Sequence, residues 1–495
     1  MDLFVTKHSR FLATSTGIAA AILAASAAPA QAETLRDALV AVYNSNPTLE
    51  SARANQRATD EGVNIQRAPG LPSANVTATH VEALRKSANS FTAPDRNLGV
   101  TGQLQVPVYS GGAVRNGINA AEERVAAGQA DLRGTESTIF SQTVAAYMDV
   151  LRTEALARLA ENQVGVLEVT FQSTSDRFEI GDVTRTDVAQ AQSRLAVARG
   201  DLQTSLANLV AARETYIQLV GRAPTNLQAP PPLPGLPENV NDAVAVALEN
   251  NPNLIAAKEL AEAAGYDTEV AGAGRLPTVG LFATYDYSDF FGTLGGPIAA
   301  DFAQSEQTAN AGVQVRIPIF QGGLPAARQR QASARETAAL EQVVAAERAV
   351  IQQTRAAYVA WEASKAVIES SQAAVEAAEL SLEGVRAENS IGNRTIIDVL
   401  NAEQELLSSR AQLVTARRNA YVAGFSMLAA MGAAEARDLN LDTGGPLYDP
   451  QVNFERVNGR LWDWDRDPEP EANSTRTVDI EAADALIGPP LELDN

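Results

Sequence analysis

Two histidines, His8 and His80, and no cysteine make up all the imidazole and thiol chemistry of this 495-residue chain. A Ser-His-Asp relay or a zinc centre would have to be built on so few imidazoles, and neither a thiolate nucleophile nor a disulfide can form. His80 lies in an alternating stretch that reads as a strand, where a structural place suits it. Two Gly-Gly pairs, Gly111-Gly112 and Gly322-Gly323, invite comparison with a phosphate loop, but no Lys-Ser/Thr follows either. They read instead as pivots that swing the chain from strand to helix. Gly272-Ala273-Gly274 is too short to be a dinucleotide fingerprint. Paired carboxylates converge nowhere that the spacing reveals, so no enzyme, cofactor or metal is expected.

Composition narrows the class further. The chain carries 39 Lys+Arg against 60 Asp+Glu, a net charge of −21 that would repel nucleic-acid phosphates. Aromatics are only 5% while alanine is abundant, which favours long, closely packed helices over a thick core. The length leaves room for about three domains. Residues 1–32 read as a secretory signal: Lys7 and Arg10, an apolar stretch from Ile18 to Ala28, then Ala30-Gln31-Ala32. The apolar run is short for a membrane span of ~20 residues, and no cysteine at the cut permits lipidation. An exported protein that starts near Glu33 is expected.

Beyond the signal, the chain is one unit written twice. Asn46-Pro47-Thr48-Leu49 recurs as Asn251-Pro252-Asn253-Leu254, and Leu71-Pro72 as Leu276-Pro277, both displaced by 205. Val106-Pro107-Val108-Tyr109-Ser110-Gly111-Gly112 recurs as Ile317-Pro318-Ile319-Phe320-Gln321-Gly322-Gly323, displaced by 211. Ile180-Gly181 and Ile391-Gly392 keep that second displacement, as do Asp187-Val188 and Asp398-Val399. The expected division is a first repeat at 33–221, a Pro-rich linker at 222–238, a second repeat at 239–433 and an acidic tail at 434–495. A unit this long is a duplicated domain, not a solenoid repeat.

Each half reads as helix, strand, loop, strand, very long helix, turn, long helix. Helical spacing covers 34–68 and 239–273. Period-two alternation covers about 98–108, 279–287 and 313–319, the length of a strand that crosses a bilayer. From Ala113 to Phe178 and from Ala326 to Asn389 there is no proline, which predicts rods of ~100 Å. Ile180-Gly181-Asp182 and Ile391-Gly392-Asn393 break the rods, and helices at 185–220 and 395–431 return antiparallel.

Four strands cannot close a barrel, and lipid does not tolerate an open sheet edge. Two architectures fit the pattern alone. Chains pool strands into a membrane barrel, or the strands form a small soluble sheet on a coiled-coil protein.

The duplicated plan, its Gly-Gly junctions and the string Arg394-Thr395-Ile396-Ile397-Asp398-Val399-Leu400 resemble the TolC family of outer-membrane efflux and type I secretion channels, over residues 34–433. The resemblance implies a mainly α fold with β: a homotrimer with a twelve-stranded outer-membrane β-barrel and a periplasmic α-barrel of long antiparallel helices. It implies outer-membrane lipid around the barrel, a periplasmic adaptor and an inner-membrane pump (ABC, RND or similar) as partners, and drugs or proteins passed outward unaltered. Loops 85–97 and 288–309 would face outside the cell. A periplasmic adaptor with its own helical hairpin is the alternative, although this chain has two hairpins and no adaptor-like flanks.

By the same resemblance, Arg394 would hold the closed tip by bonding Thr186-Asp187 of the other hairpin, and Gly181 and Gly392 would form the adaptor-docking bends. Asp398 matches the first of two entrance aspartates, Asn401 replaces the second, and Asn389 stands where the family has a tyrosine. Three carboxylates rather than six would then ring the entrance. Leu447-Tyr448 and Trp462-Asp463-Trp464 are expected to pack around the tunnel's middle. Beyond Asp467 the acidic, Pro-containing chain is expected to be disordered.

Overall fold

The computed structural model describes residues 33–86 and 93–488. The expected signal, part of the first outer loop and the last seven residues lie outside that range. In chain order the first half comprises α1 (Leu35–Ser45), α2 (Pro47–Arg67), β1 (Ser73–Glu82), β2 (Arg96–Tyr109), α3 (Ala113–Glu179) and α4 (Arg185–Val220). The second half comprises α5 (Val240–Asn250), α6 (Pro252–Ala273), β3 (Thr278–Asp289), β4 (Ser305–Arg316), α7 (Leu324–Ser390) and α8 (Ile396–Ala430), with α9 (Pro450–Val457) in the tail.

Where one opening helix per half was expected, there are two. Asn46 caps α2, its side-chain oxygen accepting from the Thr48 and Leu49 amides, and Pro47 takes the first helical position. Asn251 and Pro252 repeat the device in front of α6. Proline has no amide to give the preceding helix, so the Asn-Pro pair ends one helix and starts the next. Each asparagine also donates to the end of a returning helix, Asn46 to the Leu219 carbonyl and Asn251 to that of Ala430, both at 3.0 Å.

The four strands form one antiparallel sheet in the order β1-β2-β3-β4. Its two hairpins obey the sequence repeat. Ser73 faces Gln105 in the first, and their equivalents Thr278 and Arg316 face each other in the second. β4 stops at Arg316, so Ile317 and Ile319, which the alternation placed in the strand, fall outside it, 63% and 95% exposed. β3 begins at Thr278, opposite Arg316, and offers nothing further to pair with.

Glycine makes each turn from sheet to rod. Gly111, Gly112, Gly322 and Gly323 all have positive φ, from 63° to 86°, a region closed to most side chains. The rods α3 and α7 are each 67 residues long, so each spans ~100 Å. They differ in surroundings. α3 is buried at intervals from Gly117 to Thr174, whereas α7 buries only Pro325, Val350, Thr354, Val375, Ala378 and Leu382.

The largest core cluster lies at mid-rod, where Phe140, Val144 and Tyr147 of α3 meet Leu39 and Val42 of α1, Tyr216 of α4 and Phe425 of α8. The buried Glu33 ties this region together. Its carboxylate accepts from Tyr216 Oη at 2.7 Å and Arg222 Nη2 at 2.6 Å, and its backbone carbonyl accepts from Tyr147 Oη at 2.9 Å. Burial, reinforced by the Glu33 charge, drives the Tyr216 hydroxyl far above its ordinary range.

Leu447 and Tyr448 pack on the same cluster, but Trp462 and Trp464 stay more than 70% exposed, against expectation. Nor is the chain past Asp467 detached. Arg213 of α4 holds Asp484 at 2.6 Å and donates to the Leu486 carbonyl at 2.8 Å, while the Ala483 amide donates to Glu214 at 2.7 Å. The Arg213 guanidinium thus supplies the partner that the acidic Asp484 needs.

Where α3 packs on α6, Glu123, Glu259 and Glu262 bring carboxylate oxygens within 4.8 Å of one another. Burial, a hydrogen bond with Glu259 and the charges of Glu259 and Glu262 push the Glu123 carboxyl up to about 7. The folded protein therefore holds a proton that the unfolded chain releases above 4.5, and this group's stabilisation fades as pH rises through about 7. Glu123→Gln should flatten the decline of melting temperature across that window; an unchanged pH profile would contradict it. Arg222→Ala should cost about 3 kcal/mol by stranding the buried Glu33 carboxylate, more than Glu33→Gln costs, as read from denaturant midpoints.

Candidate functional site

The two hairpin tips are the candidate site. At each one the rod ends in a glycine with φ +81°, Gly181 or Gly392, and the return helix starts behind a Thr-x-x-Asp capping box. In the first, Asp187 accepts from the Thr184 amide at 2.8 Å and its hydroxyl at 2.7 Å. In the second, Asp398 accepts from the Thr395 amide at 3.0 Å and its hydroxyl at 2.7 Å. These bonds hold the Asp398 carboxyl below its ordinary range. Both aspartates thus satisfy helix amides that would otherwise lack partners.

The expected Arg394 link to Thr186-Asp187 is not made within the chain. Arg394 Nε donates instead to Glu388 Oε2 at 2.7 Å, which raises the guanidinium pKa, and Asn389 Nδ2 holds the Arg394 carbonyl at 2.8 Å. Glu388 stands one turn before the bend, within reach of a residue just past it; Asp187 is committed to its own cap. Thr186 lies exposed on the first turn of α4. The first tip has a counterpart of this brace, Arg177 to Asp182 at 2.6 Å.

Near the tips, the two hairpins are joined by a residue outside the expected set. Arg194 Nη2 of α4 donates to Asn401 Oδ1 of α8 at 3.0 Å. Beside it, the buried Leu400 of α8 packs with Leu167 of α3 and Leu195 and Ala198 of α4. Arg194 stands seven residues after Asp187, two helical turns along the same face, and that spacing could have flagged it. Within the second hairpin, Arg386 reaches the buried Glu403 at 3.0 Å. Asn401, expected at the entrance in place of an aspartate, therefore accepts from a guanidinium.

Nothing at the tips is arranged for catalysis. Among the described residues, the one carboxylate group close enough to share a cation is the Glu123 trio, far along α3 from the tips. No described helix is long and apolar enough to cross a membrane.

Comparison with known proteins agrees with the architecture. The family described as outer membrane efflux protein matches residues 38–222 and 243–433, one match per repeat. The outer membrane efflux protein BepC of Brucella suis is 33% identical over 92% of this chain and 98% of its own length. The outer membrane protein TolC of Escherichia coli is 27% identical over 83% of this chain and 84% of its own. The solved structure of VceC, an outer membrane protein of Vibrio cholerae, superposes with a TM-score of 0.69, covering 80% of this chain and 96% of that one at 22% identity. The shared fold carries four strands on paired helical rods, and the duplicated match and full-length relative lead to one conclusion: the chain belongs to the outer membrane efflux protein family, as a non-enzymatic channel protein of the Gram-negative outer membrane that reaches into the periplasm.

Proposed function

We propose that three copies of this chain form one export channel, which takes small molecules or proteins from an inner-membrane pump through a periplasmic adaptor. The observation that carries this reading is the open four-stranded sheet set on rods of ~100 Å. A passive pore needs a closed barrel and no rods; a conduit across the periplasm needs both.

The tips supply the constriction. Arg194 and Asn401, with Leu400 seated against α3 and α4, hold the two hairpins of a protomer together. Arg394, Asp187 and Asp398 keep each bend rigid while the hairpins move. Gly181 and Gly392, exposed and without neighbours at the Cβ position, form knuckles that an adaptor can grip.

Single-channel conductance in planar bilayers tests the constriction. The wild type should conduct weakly, and Arg194→Ala with Arg394→Ser should raise conductance severalfold. A large conductance unchanged by both substitutions would move the constriction elsewhere, and none from folded protein would overturn the channel reading. Gly392→Val tests docking. The substitution strains a positive φ by about 1–2 kcal/mol and adds bulk at the knuckle. It should abolish export in cells while leaving bilayer conductance intact.

A further inference from the structure

The acidic tail makes an excursion that the rods themselves do not require. It leaves the mid-rod cluster where the Tyr448 amide donates to Tyr43 Oη at 2.7 Å. α9 then climbs α2 in parallel. Asn453 Nδ2 donates to the buried Asp60 at 2.6 Å, and one turn later Asn64 Nδ2 donates to the Val457 carbonyl at 2.9 Å. Since α2 runs toward β1 and ends at Arg67, α9 stops only ~5 Å below the end of α2 nearest the sheet. By Thr475 the chain is back beside Gly221 and Ser45, where α4 and α1 end. Residues 458–467 are therefore the turning point of the tail, on the side where rods become strands.

This turning point is braced, and it carries an apolar patch. Gly459, with φ 99°, turns the chain off α9, and the Arg460 amide donates to the Val457 carbonyl at 3.0 Å. Arg460 and Arg456 clasp Asp467 at 2.7 and 3.0 Å, and Arg460 also holds Asp465 at 2.6 Å. The Asp465 amide closes a turn on the Trp462 carbonyl at 3.0 Å. Leu461, Trp462 and Trp464 are left facing outward, 62%, 73% and 74% exposed, and Ile65 of α2, next to Asn64, is 66% exposed. On the sheet, Val76, Leu104, Leu281 and Val313 share one exposed apolar face, the face that a membrane barrel turns to lipid. Tyr109 and Phe320 stand exposed where that sheet meets the rods.

We propose that the 458–467 loop is a membrane anchor, seating Leu461, Trp462 and Trp464 in the periplasm-facing leaflet of the outer membrane, where phospholipid acyl chains meet headgroups. An indole suits that boundary because its ring is apolar and its N–H still needs a partner. An apolar patch of this kind, held outward by ion pairs instead of folded inward, marks an interaction surface. The ion pairs also lower the ordering cost of insertion, because the loop is shaped before it meets lipid. Charge is arranged to match. Asp463, Asp465 and Asp467 are balanced by Arg456, Arg460 and Arg466, so the loop is neutral within an acidic tail and lipid phosphates do not repel it. The inference rests on the channel reading above only for the height of the bilayer along the molecule. It gives the tail a role that the rods and tips do not supply: tying α2 to the membrane surface.

The chain has three tryptophans, so its own fluorescence reads the anchor. Trp361 lies on α7, ~55 Å along the rod from Leu324 and far from lipid. In vesicles of phosphatidylethanolamine and phosphatidylglycerol with brominated acyl chains, about half of the wild-type tryptophan emission should be quenched. Trp462→Ser with Trp464→Ser should abolish the quenching, and Trp361→Phe should leave it. Both tail side chains are exposed, so the double variant should melt as the wild type does. Emission that bromine leaves bright overturns the anchor, whether it is red-shifted in water or blue-shifted against another protein surface. Ala309→Trp, placed in the double variant on the apolar face opposite Tyr285, reports separately on the barrel. Quenching there but not in the wild type removes the anchor alone; quenching in neither removes the barrel with it.

Discussion

Inside hydrocarbon, a peptide amide without a partner costs several kcal/mol, and no water is there to supply one. A sheet whose strand order is β1-β2-β3-β4 has two edges of such groups, one along β1 and one along β4. The rest of the molecule follows from the need to pair them. The chain is duplicated, so the two edges are the outer strands of two equivalent hairpins. Glycine pairs with positive φ turn the chain from β2 into α3 and from β4 into α7. An edge problem in the membrane thereby fixes the arrangement of helices far below it.

The rods meet a second constraint, that of length. A helix of 67 residues gains little from a narrow apolar stripe unless something fixes its middle and its end. At mid-rod, the buried Glu33 and the tyrosines around it tie the start of the chain to α3 and α4, and Phe425 of α8 packs on the same cluster. At the ends, capping boxes and short ion pairs finish each hairpin independently, and the bond between Arg194 and Asn401 is one of the few polar links between hairpins. Stiff hairpins joined by a light seam can separate without unfolding.

Much of this was legible in the sequence because it depends on local chemistry. Gly-Gly pairs, proline-free runs and Ile-Gly bends state where a backbone turns, and the rods and return helices begin and end within two residues of the positions read from them. The Asn-Pro pairs served as repeat marks, yet their own meaning, a cap followed by a first-turn proline, splits the opening helix. Pairings between distant residues were not legible. Arg394 has a closer carboxylate in Glu388 than any on the other hairpin, and the acidic tail finds Arg213 through the fold rather than through spacing. The resemblance identified the tips as the site but carried over a partner for Arg394 that this chain does not use internally.

The two displacements differ by six residues, yet the two hairpins keep equivalent registers. The extra length is absorbed wholly in the loop between β3 and β4, at the end of the sheet remote from the rods. Strand pairing therefore insulates the register of the sheet, and the rods that follow it, from changes of length in that loop. That loop can lengthen or shorten while the strands and rods keep their alignment.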